Sequence, residues 1–336
     1  METGNDFRVP GIRPGGVLLA GEAMGLFTAG QEGPCSSVGM FQASVAGAEL
    51  NVAIGLKRLG QNPRYLTRVG DDPLGVRIRL LMEAEKLDTS LLTVDADHHT
   101  GFMMKTREHV GDPKTYYYRK GSAASTLSGD DVNRVDPAGL SLVHLTGILP
   151  PLSPSTMDAA EALVVYARRH NLFLSFDPNL RPALWMSETV MKSTLRRLAA
   201  QSDLVLPGIG EGRELFGVDD VESIGKAFID NGARCVVVKD GPRGAYATDG
   251  KDGVYVPGFV VDHVVDTVGA GDGFAAGLLS ALLEGHTIAT AMERACAVGA
   301  MQTQVVSDNE GLPTITALDE FMMLHDRAPL RETVLV

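Results

Sequence analysis

The stretch VVDTVGAGDGFAAGLLSALLEG, residues 264–285, sets Gly269, Gly271 and Gly273 around one carboxylate, Asp272, and follows them with an apolar run. Locally, DHVVD is strand-like, TVGAG is a turn, and GFAAGLLSALLEG is a helix apolar on all sides, which places it deep in a core. Glycines let backbone approach a ligand closely and aim several N–H groups at one point, and a helix N-terminus adds roughly half a positive charge there. The turn therefore reads as an anion cradle. Asp272 is expected to stay ionised at neutral pH, because N–H donors and the helix dipole favour the carboxylate, and so to accept a proton from a hydroxyl. For an isolated Asp-Gly pair, the alternative is a plain helix cap.

Working outward, GVLLAGEAM follows a flexible first fifteen residues and reads as a buried strand, and AELNVAIGLKRLG reads as a helix with Gly60 past its end. From about residue 141, LVHLTG, LFLSFD, DLVLPG and CVVVKDG are short apolar runs separated by stretches of helical length. That alternation predicts an α/β fold, a mostly parallel sheet covered by helices on both faces. Residues 34–46 and 100–120 break the pattern. Their Thr, Tyr, Val and Phe content around polar turns predicts a small antiparallel sheet, able to cover a cleft as a lid. The expected organisation is one domain over 16–325 carrying these inserts, with a tail at 326–336.

Composition narrows the function. The 336 residues are 44% hydrophobic and 21% charged with a net charge of −12, so a concentrated basic face for nucleic acid is not expected. Cys35, Cys235 and Cys296 lie far apart, which fits reduced thiols and a cytoplasmic protein better than a disulfide framework or zinc site. No run approaches the ~20 apolar residues of a membrane helix, and the first residues carry no leader pattern. G-x-x-x-x-G-K-[ST], G-x-G-x-x-G after a strand, HExxH and GxSxG are all absent, which removes the common phosphate, dinucleotide, metalloprotease and hydrolase readings.

The run Asp266, Thr267, Gly269, Ala270, Gly271, Asp272, with Phe274 and Gly277, resembles the DTxGAGDxF motif of the ribokinase-like (PfkB) carbohydrate kinases. AGAELNVAIGLKRLG and RVGDDPLG resemble that family's N-terminal motif, with Gly47, Asn51, Gly60, Gly70, Asp71 and Gly75 in place, and the resemblance spans about residues 16–315. It implies a ribokinase-like fold in which ATP lies across the sheet edge and the sugar beneath the lid. Asp272 would be the base, and the amides of Gly269, Ala270 and Gly271 would stabilise the transferring phosphoryl group. KDGPRGAYA resembles the nucleotide loop, with Gly241 and Gly244 near ATP; a plain hairpin turn is the alternative. Glu211 matches the glutamate that organises Mg2+ through water. Gly208 departs from the asparagine many members carry three residues earlier. A monovalent cation such as K+ beside Asp266 is implied by the resemblance alone.

YYYRKGSAAS and FDPNLRPALW place Tyr117, Arg119 and Arg181 where two guanidinium groups can converge on a carboxylate or phosphate of the substrate. For any single arginine the alternative is an ordinary surface position. Together with HLTGILPPLSP and DNEGLPT, these segments resemble the family's sugar-acid members acting on 2-keto-3-deoxygluconate. That likeness implies contacts from Tyr117, Arg119 and Arg181 to the acid and from Gly47 and Asn51 to its hydroxyls. Met103 stands where those kinases often have tyrosine, leaving a softer apolar wall. The alternatives are a fructokinase or other neutral-sugar kinase and, in another class, a non-catalytic binding regulator. Because an uncovered lid face invites association, a homodimer or larger oligomer through the lid is expected.

Overall fold

The computed structural model describes residues 6–107 and 114–329. Thirteen strands run β1 (Gly16–Ala20), β2 (Met24–Glu32), β3 (Phe41–Ala46), β4 (Pro63–Gly70), β5 (Leu92–Asp95), β6 (Phe102–Arg107) and β7 (Thr115–Tyr118). They continue β8 (Leu140–Thr146), β9 (Phe173–Asp177), β10 (Leu204–Val205), β11 (Val236–Lys239), β12 (Gly244–Thr248) and β13 (Gly253–Pro257). The main sheet has the order β13-β12-β11-β10-β9-β8-β1-β4-β5. It is parallel from β11 to β5, with β12 and β13 added antiparallel at one edge.

The central strands β1, β8, β9 and β10 are buried along their whole length because both faces are covered. In β1, Val17 and Leu19 enter one core and Leu18 and Ala20 the other, as the two-residue period requires. The first core is built on the helices Ala48–Arg58, Ala270–Leu283 and Ile288–Gln302. The second is built on Pro154–Arg169, Glu188–Ala200 and Val221–Asp230. Gly273 to Leu283 are all buried, as a helix with no polar face demands. Gly55 lets the Ala48–Arg58 helix close on it: a Cβ there would stand 2.6 Å from that of Ala276.

The smaller sheet has the order β3-β2-β6-β7, with β2 and β6 parallel and the outer pairs antiparallel. Its first strand begins at Met24, ahead of the expected 34–46. Chain that reads as one strand, GVLLAGEAM, is broken after Ala20 as it passes from main sheet to lid. Part of the 100–120 insert, residues 108–113, lies outside the described residues.

Three other expectations differ. DHVVD is irregular, not a strand: no neighbour pairs along it, Val265 and Asp266 both donate to the Thr303 carbonyl, and Val264 and Val265 are exposed. Of the first fifteen residues, 1–5 lie outside the described part, while Val9 is buried in the core and Ile288 donates to the Phe7 carbonyl. The tail at 326–336 starts attached, with Ala328 donating to the Gly258 carbonyl; residues 330–336 lie outside the described part. Among the described residues no helix is long and apolar enough to cross a membrane. All three cysteines are free thiols.

Candidate active site

A cavity of about 580 Å³ lies between the carboxyl ends of the parallel strands and the lid, where open α/β sheets bind ligands. Gly47, Asn51, Tyr117, Arg119, Arg181 and Glu211 all line it, as do Gly269, Gly271 and Asp272. Sites read from segments more than 200 residues apart thus converge.

The anion cradle forms because Gly269 takes the left-handed conformation, φ 79°, immediately before the Ala270–Leu283 helix. No side chain is accommodated there: a Cβ would lie 2.2 Å from the Asp308 carbonyl oxygen. The donors differ from expectation. The Ala270 amide donates to the Thr267 carbonyl at 3.3 Å, and that of Gly273 to the Gly269 carbonyl at 2.8 Å. The first turn therefore offers the Gly271 and Asp272 amides, which lack an intrahelical acceptor.

Asp272 sits half-buried on the cavity floor, where Asn51 Nδ2 donates to its Oδ2 at 2.8 Å. Asn309 Nδ2 in turn donates to Asn51 Oδ1 at 3.1 Å, fixing the amide's orientation. The expectation of a fully ionised carboxylate is corrected. Burial, with the nearby charges of Asp177 and Glu49, pushes the Asp272 pKa up to about 7 against the opposing Asn51 hydrogen bond and Arg181 charge. Desolvation outweighs the helix terminus here. A carboxylate with that proton affinity is matched to general-base work near neutrality.

The two arginines are held differently. Arg119 is buried, and its Nε donates to Glu22 Oε2 at 2.6 Å; Ser122 Oγ donates to Glu22 Oε1 at 2.5 Å. Its guanidinium carbon lies 5.8 Å from the centre of the Tyr117 ring. Arg181 is exposed, and its Nη1 donates to its neighbour's carbonyl, that of Leu180, at 2.8 Å. Met103 is buried in the lid wall opposite Tyr117, as the β6–β7 register requires.

Glu211 occupies the first turn of the Ile209–Phe216 helix, where its carboxylate accepts from the Gly208 and Leu180 amides. Its hard oxygen donors, with those of Asp177 in the same cavity, fit a magnesium ion that keeps most of its waters. Among the described residues no cluster of three or more acidic, His or Cys side chains could hold a metal by itself. The implied monovalent cation fits less well at the Asp266 side chain. Oδ1 accepts from the Val268 amide at 3.1 Å and Oδ2 from Lys105 at 2.6 Å, so the carboxylate already has a cation.

Gly241 and Gly244 do not line the cavity. They bound the turn joining β11 to its antiparallel neighbour β12. A Cβ on Gly244 would lie 2.0 Å from the Val256 carbonyl oxygen, which explains that glycine by strand packing.

Several lining residues escaped sequence reading: Glu22, Glu49, Lys105, Asp177, Lys239 and Asp308. Asp177 and Lys239 end core strands, and a charged residue at the carboxyl end of a parallel strand is the signal that would have found them. Glu22 and Lys105 carry no such mark, since only the lid's folding back brings them to the site.

The pfkB family carbohydrate kinase profile matches residues 17–315. The chain is 40% identical over 303 residues to the 2-dehydro-3-deoxygluconokinase of Bacillus subtilis (strain 168), covering 90% of this chain and 94% of that one. It is 32% identical to the enzyme of the same name from Thermoproteus tenax, covering 91% and 94%. Among solved structures, the PfkB protein from Polaromonas sp. JS666 superposes with a TM-score of 0.82 at 39% identity, covering 91% of this chain and 99% of that one. The glycine cradle beside an acid, the lid over it and the full-length match agree, and the chain belongs to the pfkB family of carbohydrate kinases.

Proposed function

We propose that the protein transfers the γ-phosphoryl group of ATP to the primary hydroxyl of a sugar acid, 2-keto-3-deoxygluconate (2-dehydro-3-deoxygluconate). The observation that carries this reading is one cavity lined by Asp272, the anion cradle and two arginines, Arg119 and Arg181. The match to relatives that are named for this activity supports it. In the step, the hydroxyl oxygen attacks the γ-phosphorus, the bond to the β–γ bridging oxygen breaks, ADP leaves, and the hydroxyl proton passes to Asp272. The Gly271 and Asp272 amides face the charge that spreads over the phosphoryl oxygens, where fixed dipoles contribute most. Tyr117, Arg119 and Arg181 hold the acid; Gly47 shapes the wall, and Asn51 fixes Asp272 while facing the sugar. A magnesium ion near Glu211 would supply Lewis-acid neutralisation of the phosphates.

A coupled ADP-release assay over a panel of sugars and sugar acids tests the substrate. The expected outcome is kcat/KM for 2-keto-3-deoxygluconate at least about tenfold above that for fructose, one unit of discrimination being ~1.4 kcal/mol. A preference for fructose places the protein with the neutral-sugar kinases, and no turnover with any of them makes it a binding regulator.

Assembly belongs to the same reading, in a cytoplasmic setting. The lid's outer face carries Phe27, Phe102 and Tyr118, with Phe102 and Tyr118 stacked at 4.6 Å and Tyr118 48% exposed. A second copy covering that aromatic face gives a homodimer or larger oligomer. Light scattering at micromolar concentration showing one chain's mass contradicts it.

A further inference from the structure

Among the described residues, four cationic side chains line the cavity, and three are already accounted for. Lys105 holds Asp266, Arg119 holds Glu22, and Arg181 lies exposed at the rim. The fourth, Lys239, has no role in the functional reading above. It ends β11, and the alternation that sends Val237 into the core of the Ala270–Leu283 helix carries Lys239 to that same face, at the strand's carboxyl end. Its amide donates to the Pro207 carbonyl at 2.8 Å, and its bridge to Gly208 ties it to the start of the helix bearing Glu211.

Its ammonium stands at the cradle. A carbon placed at the Cβ of Gly271 would be 3.9 Å from Lys239 Nζ, the nearest heavy atom beyond the adjoining residues of its own helix. The side chain is largely buried, and Nζ is held 2.7 Å from Asp177 Oδ2. Glu211 and Asp272 line the same cavity beside Asp177. An anion seated on the Gly271 amide would meet three carboxylates and this single ammonium.

Resting on the phosphoryl-transfer reading, we infer that Lys239 is a catalytic residue that contacts the transferring phosphoryl group, with Asp177 holding its ammonium in place. The geometry favours the γ position, because Gly271 and Asp272 share one helical turn and the base must lie next to the phosphorus under attack. A purely structural role, neutralising the buried Asp177, makes a different set of predictions.

The test uses the full chain as Lys239→Met and as the double variant Asp177→Asn/Lys239→Met, which removes the stranded carboxylate together with the lysine. Two readouts need no turnover. By calorimetry without sugar, the Lys239→Met protein should lose about tenfold more affinity for a non-hydrolysable ATP analogue than for ADP, since only the former carries the γ group. In thermal melting, the double variant should recover the Tm lost in Lys239→Met. With sugar acid, kcat should fall about 10³-fold in Lys239→Met, the scale of removing one charge-stabilising donor, while KM for the sugar acid moves little. A double variant whose kcat returns to within about tenfold of wild type, or equal losses for ADP and the analogue, overturns the assignment. If wild type phosphorylates none of the panel, the functional reading fails by itself, and the calorimetric comparison still decides whether Lys239 meets a γ-phosphate.

Discussion

The lid wall and the Asp272 corner of the cleft floor treat charge in opposite ways. On the lid side each buried cation sits against its own carboxylate, Arg119 on Glu22 and Lys105 on Asp266, both at 2.6 Å. On the floor, Asp272 is hydrogen-bonded by the neutral Asn51, and the arginine that acts on it, Arg181, is exposed. Paired charges hold geometry, because each partner pays the other's desolvation and neither can leave alone. A carboxylate left without a contacting cation keeps a high proton affinity, which a base needs and a structural residue does not. On the proposed reading, the lid wall positions the substrate and Asp272 on the floor does the chemistry.

Removing the floor charge should have the largest effect. Asp272→Asn keeps the shape and deletes the acceptor, so kcat should fall by roughly 10³-fold or more with sugar acid and nucleotide still bound. Recovery to within about tenfold of wild type would exclude Asp272 as base. The same variant should be more stable than wild type. The folded-state pKa is raised above that of the unfolded chain, so this group destabilises the fold increasingly as pH rises from about 4 to 7, with the full cost above 7. Discounted for its part-open position, the gain in Asp272→Asn should be about 1–3 kcal/mol at pH 8 and should shrink toward pH 4, as read by denaturant titration.

On the lid wall the order reverses: structure suffers first. Arg119→Ala strands the buried Glu22 and should cost about 3–5 kcal/mol of stability, besides lowering kcat/KM for the sugar acid by roughly thirtyfold. Adding Glu22→Gln to Arg119→Ala should restore much of the stability and none of the kcat/KM. If both return together, Arg119 serves the fold alone.

Arg181 sharpens the contrast. Being exposed and bonded to a neighbouring carbonyl, it should cost under about 0.5 kcal/mol of stability when replaced by alanine. Its kcat/KM for the sugar acid should still fall about thirtyfold, while any activity on fructose falls little. Equal losses on both substrates would remove it as a carboxylate ligand, and unchanged kcat/KM would leave it a surface residue.

How much of this was legible in the sequence follows from the physics of each segment. The parallel core strands and the buried helix after Gly269 declare themselves because burial on both faces forces unbroken apolar runs. Gly269, Gly271 and Asp272 are equally plain, since a left-handed turn opening a helix beside one acid has few other uses. The proton affinity of Asp272 was not legible. It depends first on burial by the assembled fold and then on Asp177 and Glu49, which arrive from other strands and helices, and a local view sees only the helix terminus. Nor was the Glu22–Arg119 pair, which joins residues 97 positions apart. DHVVD misled because β-branched residues favour a strand only where a neighbour exists to pair with.

The central claim is that Asp272 is a base tuned to neutrality by its burial on the floor of the cleft, where a neutral amide and not a cation contacts it. Its most direct test is the pH dependence of kcat/KM for the sugar acid, measured at saturating nucleotide and magnesium. The base works deprotonated, so kcat/KM should fall tenfold per pH unit on the acid side and level off above an apparent pKa within about one unit of 7. A profile flat from about pH 5 to 8 would mean that Asp272 ionises at an ordinary carboxylate pKa or is not the base, and would contradict the account.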